Sequence, residues 1–152
     1  MRTITDDEIE EYLQERNVLP QYRINLREVK GHYRARFSIT GDKGHRFKVD
    51  IRQNKRNPLD FSVILSIFIQ NNPFILKRYN GNHPSPHFNK IEKEKITGFH
   101  IHEATQRYQE KGFYAECYAK PTQRYNDWKT ALEIMFSDNN ITKLDENQAQ
   151  LT

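Results

Sequence analysis

Tyr33-Arg34-Ala35-Arg36-Phe37-Ser38-Ile39, a loop at Gly41-Asp42-Lys43-Gly44, then His45-Arg46-Phe47-Lys48-Val49-Asp50-Ile51-Arg52: this stretch decides the fold. Apolar residues fall on every second position of both arms, and arginine or lysine fills most of the positions between. Side chains of a strand point alternately to opposite faces, so strict alternation marks half-buried antiparallel strands joined by a hairpin. Working outward, Tyr22, Ile24 and Leu26 alternate with Arg23 and Arg27 and predict a strand before Gly31. Phe61–Ile69 is apolar on both parities, as a buried central strand would be. Asn71-Asn72-Pro73 predicts a turn, and Phe74–Tyr79 a fifth strand. The expected fold class is α+β: an antiparallel five-strand meander over about residues 22–79, flanked by an N-terminal helix and two C-terminal helices.

The first helix carries its own start signals. Thr5 with Glu8 forms a capping box, Ile4 and Ile9 a hydrophobic staple, and Asp6, Asp7 and Glu8 suit the positive helix N-terminus. Residues 80–97 contain Gly81, Pro84 and Pro86 and read as a long loop. Beyond it, Gly98-Phe99-His100-Ile101-His102 reads as extended, 103–111 as a short helix ended by Gly112, and 113–118 as a short strand. Asn126 or Asp127 caps a last helix whose apolar face is Trp128, Ala131, Leu132, Met135 and Phe136. The expectation is one α+β domain over 1–141 and a polar, frayed tail over 142–152, with no repeat and no second domain.

The chain has 152 residues and one cysteine, Cys117, which rules out an internal disulfide framework. The longest apolar stretch is interrupted by Ser62 and Ser66 and is too short for a membrane helix, so a cytoplasmic protein without membrane contact is expected. The net charge of +4 conceals an asymmetry. Residues 22–56 hold 11 Lys/Arg against three acids, whereas both ends of the chain are acidic. A one-sign segment calls for an anionic partner, or else for the acidic ends to fold back onto it.

Two constellations could carry function. Arg23, Arg27, Arg34, Arg36, Arg46, Lys48 and Arg52 share the non-core parity of three neighbouring strands and suit a phosphate backbone, because guanidinium forks match phosphate oxygens and counterion release drives binding. The plainer account is a solvated face whose cations guard strand edges. Stacking aromatics are not expected there, since Tyr33 and Phe37 fall on the core parity. The second constellation is histidine-rich: His83, His87, His100 and His102 lie within twenty residues, with Arg107 and Tyr108 following. His100, His102, Arg107, Tyr108 and His87 are the groups a metal-independent ribonuclease would need: two proton-transfer imidazoles and a cation for phosphorane-like charge. The plainer account has the imidazoles pinning a loop to backbone carbonyls. His-x-His with His87 resembles a metal-ligand pattern, but no acid stands in ligand register and Cys117 is alone, so no metal and no cofactor is expected. Glu103 and Arg107 read as a helix-surface pair.

Leu76-Lys77-Arg78-Tyr79-Asn80-Gly81, Gly98-Phe99-His100-Ile101-His102-Glu103-Ala104-Thr105-Gln106-Arg107-Tyr108-Gln109 and a Tyr-Ala-Lys-Pro-Thr piece at 118–122 resemble segments of an uncharacterised family of small bacterial proteins. The resemblance covers about a third of the chain, implies a bacterial or mobile-element origin and brings no activity or site roles. Two readings stay open. One is a nucleic-acid-contacting bacterial protein, RNA before DNA, whose enzymatic form would be a small metal-independent ribonuclease of toxin type. The other is a non-enzymatic protein-binding module, such as an antitoxin, an inhibitor or a defence-system accessory, that docks an acidic protein on the basic sheet.

Overall fold

A computed structural model describes residues 2–19 and 24–144. The fold is α+β, built on a seven-stranded, mostly antiparallel sheet. In chain order the elements are α1 (Asp6–Gln14), β1 (Asn17–Leu19), β2 (Arg27–Val29), β3 (His32–Thr40), β4 (Arg46–Asn54), β5 (Phe61–Ile69), β6 (Asn72–Asn80), β7 (His87–Asn89), β8 (Glu94–Ile96), β9 (His100–Glu103), α2 (Gln106–Glu110), a 3₁₀ turn (Ala115–Cys117), β10 (Tyr118–Pro121), α3 (Trp128–Asp138) and β11 (Ile141–Lys143). The sheet runs in the order β10-β9-β6-β5-β4-β3-β2, so the expected meander is present as β2–β6 and is extended on the β6 side by β9 and β10.

Local chemistry explains the connections. Lys30 and Gly31 both have positive φ and close β2 onto β3, while Gln70 and Asn71 do the same between β5 and β6. That second turn lies one residue earlier than the sequence suggested, and Asn72 and Pro73 belong to β6, where Pro73 faces Phe68. The buried Glu15 side chain organises the β3–β4 loop. Its carboxylate accepts from the backbone N–H of Lys43 and His45 at 3.2 Å each and meets His45 Nδ1 at 2.6 Å. A Cβ on Gly41 would lie 2.0 Å from Glu15 Oε2, so any larger residue there would have to displace the Glu15 carboxylate.

One sheet face packs the core. Phe47, Val49, Ile51, Val63, Leu65 and Ile67 are buried against Ile9 and Leu13 of α1 and against Leu132, Met135 and Phe136 of α3. Capping boxes at Thr5–Glu8 and Asp127–Thr130 start the two longer helices. On the core side, the Tyr79 hydroxyl donates to Asp138 at 2.8 Å and accepts from Asn139 at 3.1 Å.

Five expectations need correction. The first strand of the meander is Arg27–Val29; Ile24 and Leu26 pack against the core from outside it, and Tyr22 and Arg23 lie outside the described residues. The segment 80–97 contains the hairpin β7–β8, because both prolines precede it and Lys93 supplies the left-handed turn residue. The helix expected over 103–111 is shorter, since Glu103 still belongs to β9 and Thr105 is the cap that accepts from Tyr108 N–H. The strand expected over 113–118 is a 3₁₀ turn, with β10 following it. Of the tail expected over 142–152, Thr142 and Lys143 belong to β11 (Ile141–Lys143), which runs parallel to β1, and residues 145–152 lie outside the described residues. No helix among the described residues is long and apolar enough to cross a membrane.

Candidate functional site

Register builds the site. Directly opposed residues of an antiparallel sheet project to the same face. Following the pairs across the strands gives two rows on the face away from the core. One is Arg27, Arg34, Arg52, Ser62, Asn80, His100; the other is Arg36, Asp50, Ile64, Arg78, His102, Ala119. The basic strands and the histidine cluster, separate features in the sequence, are therefore two ends of one surface.

The β2–β4 end is open. Arg27, Arg34, Arg36 and Arg46 are exposed, and Lys48 and Arg52 half-buried. Asp50 is the acid within it, 2.5 Å from Arg36 Nε and 3.4 Å from Lys48 Nζ. Among the described residues no carboxylate pairs with Arg27, Arg34, Arg46, Arg52 or Arg78. Among the described residues, four acids near the chain ends are paired away from this face: Glu8 with Arg2, Glu15 with His45, Asp138 with Arg124 and Glu133 with Lys143. Ser62 and Ser66 of β5 form a low, buried floor. Phe68 stands on the same face with the Arg46 guanidinium 4.0 Å from its ring centroid. It is an aromatic that parity alone does not reveal, since β5 is apolar on both faces. A cleft of about 890 Å³ reaches from Arg27 over Arg34 and Arg52 to Ser62, Ile64 and Arg78.

The β6–β9–β10 end is covered. Asn89 of β7 pairs with the Ala119 backbone both ways, Nδ2 donating to the carbonyl at 2.7 Å and Oδ1 accepting from the N–H at 2.9 Å. His87 Nε2 donates to the Cys117 carbonyl at 2.7 Å. His102 Nδ1 donates to the Glu116 carbonyl at 2.7 Å, and His100 Nδ1 to the Gly98 carbonyl at 2.8 Å. The imidazoles form one cluster: the His102 centroid lies 4.6 Å from His87 and 5.0 Å from His100, and His83, paired with Asp60, lies 5.9 Å from His100. Burial drives the His102 pKa down to about 3, helped by the neighbouring imidazoles and Arg78, and lowers His100 in the same sense. Both rings are thus neutral at pH 7.

Arg107 and Tyr108 are engaged elsewhere. Both bind Glu92 at the tip of the β7–β8 hairpin, Arg107 at 2.6 Å and Tyr108 through its hydroxyl at 2.5 Å. The cation that does reach the histidine row is Arg78, which sequence reasoning missed. Its pKa is lowered by burial, with Glu116 and Cys117 opposing and Arg52 reinforcing the shift. A β-bulge hid it: register slips between Leu65 and Ser66, Leu76 becomes the extra residue, and Arg78 changes face relative to the parity of Phe74 and Leu76. Glu103 pairs with Lys77 and Lys120 in place of Arg107. No group of three or more His, Cys, Asp or Glu among the described residues is placed to hold a metal ion. No protein-family model, no curated protein and no solved structure matches the chain.

Proposed function

We propose that this protein binds single-stranded nucleic acid, RNA ahead of DNA, on the outer face of β2–β5. The observation that carries the reading is the row Arg27–Arg34–Arg52. Like charges directly opposite on neighbouring strands destabilise a sheet, and three guanidinium groups in succession without a carboxylate have no structural benefit to offset that cost. A polyanion removes the repulsion and releases counterions. The face is a shallow cleft floored by serines, and no described element of β2–β5 projects to enter a duplex groove, which suits a strand whose bases lie against a sheet. Phe68 under Arg46 adds one stacking surface.

The reading is of binding without cleavage. His100 and His102 are 3% and 8% exposed and spend their Nδ1 protons on carbonyl oxygens. A ring with a pKa near 3 has no proton to give at neutral pH. Those contacts support a role in holding the hairpin and the 115–117 turn on the sheet.

The test is fluorescence anisotropy with a labelled single-stranded RNA across a salt series. Wild type is expected to bind at low salt with a steep salt slope. Arg34→Ala with Arg52→Ala should flatten that slope by about 0.7 per lost phosphate contact. Lys95→Ala, on the exposed side of β8, serves as the control and should change neither affinity nor slope. Absence of binding at low salt, or a slope unmoved by the double change, defeats the proposal.

A further inference from the structure

We propose that the inner end of the cleft, where Arg78 meets Arg52 and Ser62, is a subsite for a phosphate monoester, the terminal phosphate of the strand lying on the outer face. This rests on the binding reading above and specifies which part of the strand is recognised.

Three observations carry it. Arg78 is half-buried, and among the described residues its buried Nε has no hydrogen-bond partner and no carboxylate makes an ion pair with it. Placing a guanidinium in such a position costs stability unless an anion completes it. The Glu116 carboxylate acts on Arg78 through its charge but makes no salt bridge to it, and its backbone carbonyl accepts from His102. Second, Arg52 belongs to the same cleft and its charge acts on Arg78. Two guanidinium forks beside the Ser62 hydroxyl are the donor set for a tetrahedral oxyanion. Third, the cleft runs from the β2 side and stops at Arg78. Beyond β6 the sheet is roofed by the 115–117 turn, held through His102, and by His87 of the hairpin. A strand passing through needs two open ends, whereas a strand end needs one. A terminal phosphate also carries a charge of about −1.5 to −2 at neutral pH and three free oxygens, against a single charge for an internal diester.

The experiment compares one RNA octamer in three forms, 5′-phosphorylated, 3′-phosphorylated and hydroxyl at both ends, with a nucleoside monophosphate as competitor. One phosphorylated form should bind wild type about tenfold or more tightly than the hydroxyl form, the scale of added charge-assisted hydrogen bonds. Arg78→Gln should bring that ratio to about one, and Arg78→Lys, which keeps the charge and loses the fork, to an intermediate value. Arg36→Ala should weaken all forms and leave the ratio intact. If Arg78→Gln lowers the melting temperature too far to assay, Arg52→Gln gives the same readout from the other side of the subsite. Competition by the monophosphate at micromolar concentration identifies a free nucleotide as the ligand, whereas weak competition identifies the strand end. Equal binding of all three octamers overturns the subsite and leaves the binding reading standing; no binding of any octamer overturns both.

Discussion

His102→Asn should make this protein less sensitive to acid. The wild-type ring sits beside Arg78 on β6, His87 on β7 and His100 on β9, which oppose its protonation, and its acceptor is the backbone carbonyl of Glu116, an acid on the roofing turn next to Cys117. In the unfolded chain its pKa is 6.5, and in the fold it is about 3. Between those values the unfolded chain binds a proton that the native state refuses. The His102 contribution is therefore complete above pH 6.5 and is lost as pH falls toward 3. The slope is about 1 kcal/mol per pH unit once pH is well below the unfolded value, and His100 adds in the same direction. Against a total of roughly 5–15 kcal/mol for a domain, two units of acidification remove a large share. Asparagine can keep the donor to the Glu116 carbonyl, because Nδ2 takes the place of Nδ1, and it cannot titrate. Urea unfolding followed by Trp128 fluorescence at pH 7.5, 6.5, 5.5 and 4.5 gives the comparison. The variant should lose about 1–2 kcal/mol at pH 7.5 from the smaller side chain, yet show a shallower slope below pH 6.5 by about 1 kcal/mol per unit. Equal slopes would refute the reasoning, because they would mean the native ring takes up protons as readily as the unfolded one.

Three further changes probe the parts that shape the face. Gly81→Ala puts a Cβ 2.0 Å from the Leu59 carbonyl oxygen and 2.6 Å from the Phe61 ring, so it should cost at least about 2 kcal/mol in chemical denaturation, and a neutral result would contradict the close approach. Asn89→Ala removes both hydrogen bonds to Ala119 and should cost about 2–3 kcal/mol while raising amide exchange within 87–96; unchanged exchange there would show the hairpin is held by other contacts. Glu15→Ala leaves the Lys43 and His45 amides without their acceptor and should lower stability by about 2–4 kcal/mol by calorimetry, with RNA affinity per folded molecule unchanged.

The strands with clean alternation were legible, because one face of each is buried and the other wet. Phe47, Val49 and Ile51 against Arg46, Lys48 and Arg52 leave no second interpretation. The starts of the two longer helices were legible for an equally local reason: Thr5 with Glu8 is a complete capping signal within four residues, and Asp127 is one of the two caps expected for the last helix. Register was not legible. That Asn80 faces His100 and Arg78 faces His102 depends on pairing residues about twenty positions apart across an intervening hairpin, and nothing in either segment encodes it. The bulge at Leu65/Ser66 defeats any period-two reading of β6, so Arg78 counted as neither core nor surface. Arg107 and Tyr108 looked like partners of the histidines because they follow them in the chain. Glu92, which claims both, sits in a segment whose prolines disguised a hairpin.

The β1–β11 pair has a mechanical meaning. It is parallel, with Asn17 beside Ile141 and Leu19 beside Lys143, and the Leu144 N–H reaches the Leu19 carbonyl at 3.0 Å. It clasps together segments about 120 positions apart in sequence, closing nearly the whole described chain into one loop whose closure entropy must be met before the clasp forms. Force applied to the first and last elements would pull these two strands in opposite directions along their length. Their bridging hydrogen bonds would then carry load together in shear instead of opening one at a time. Under tension, the clasp is the contact that guards the sheet behind it.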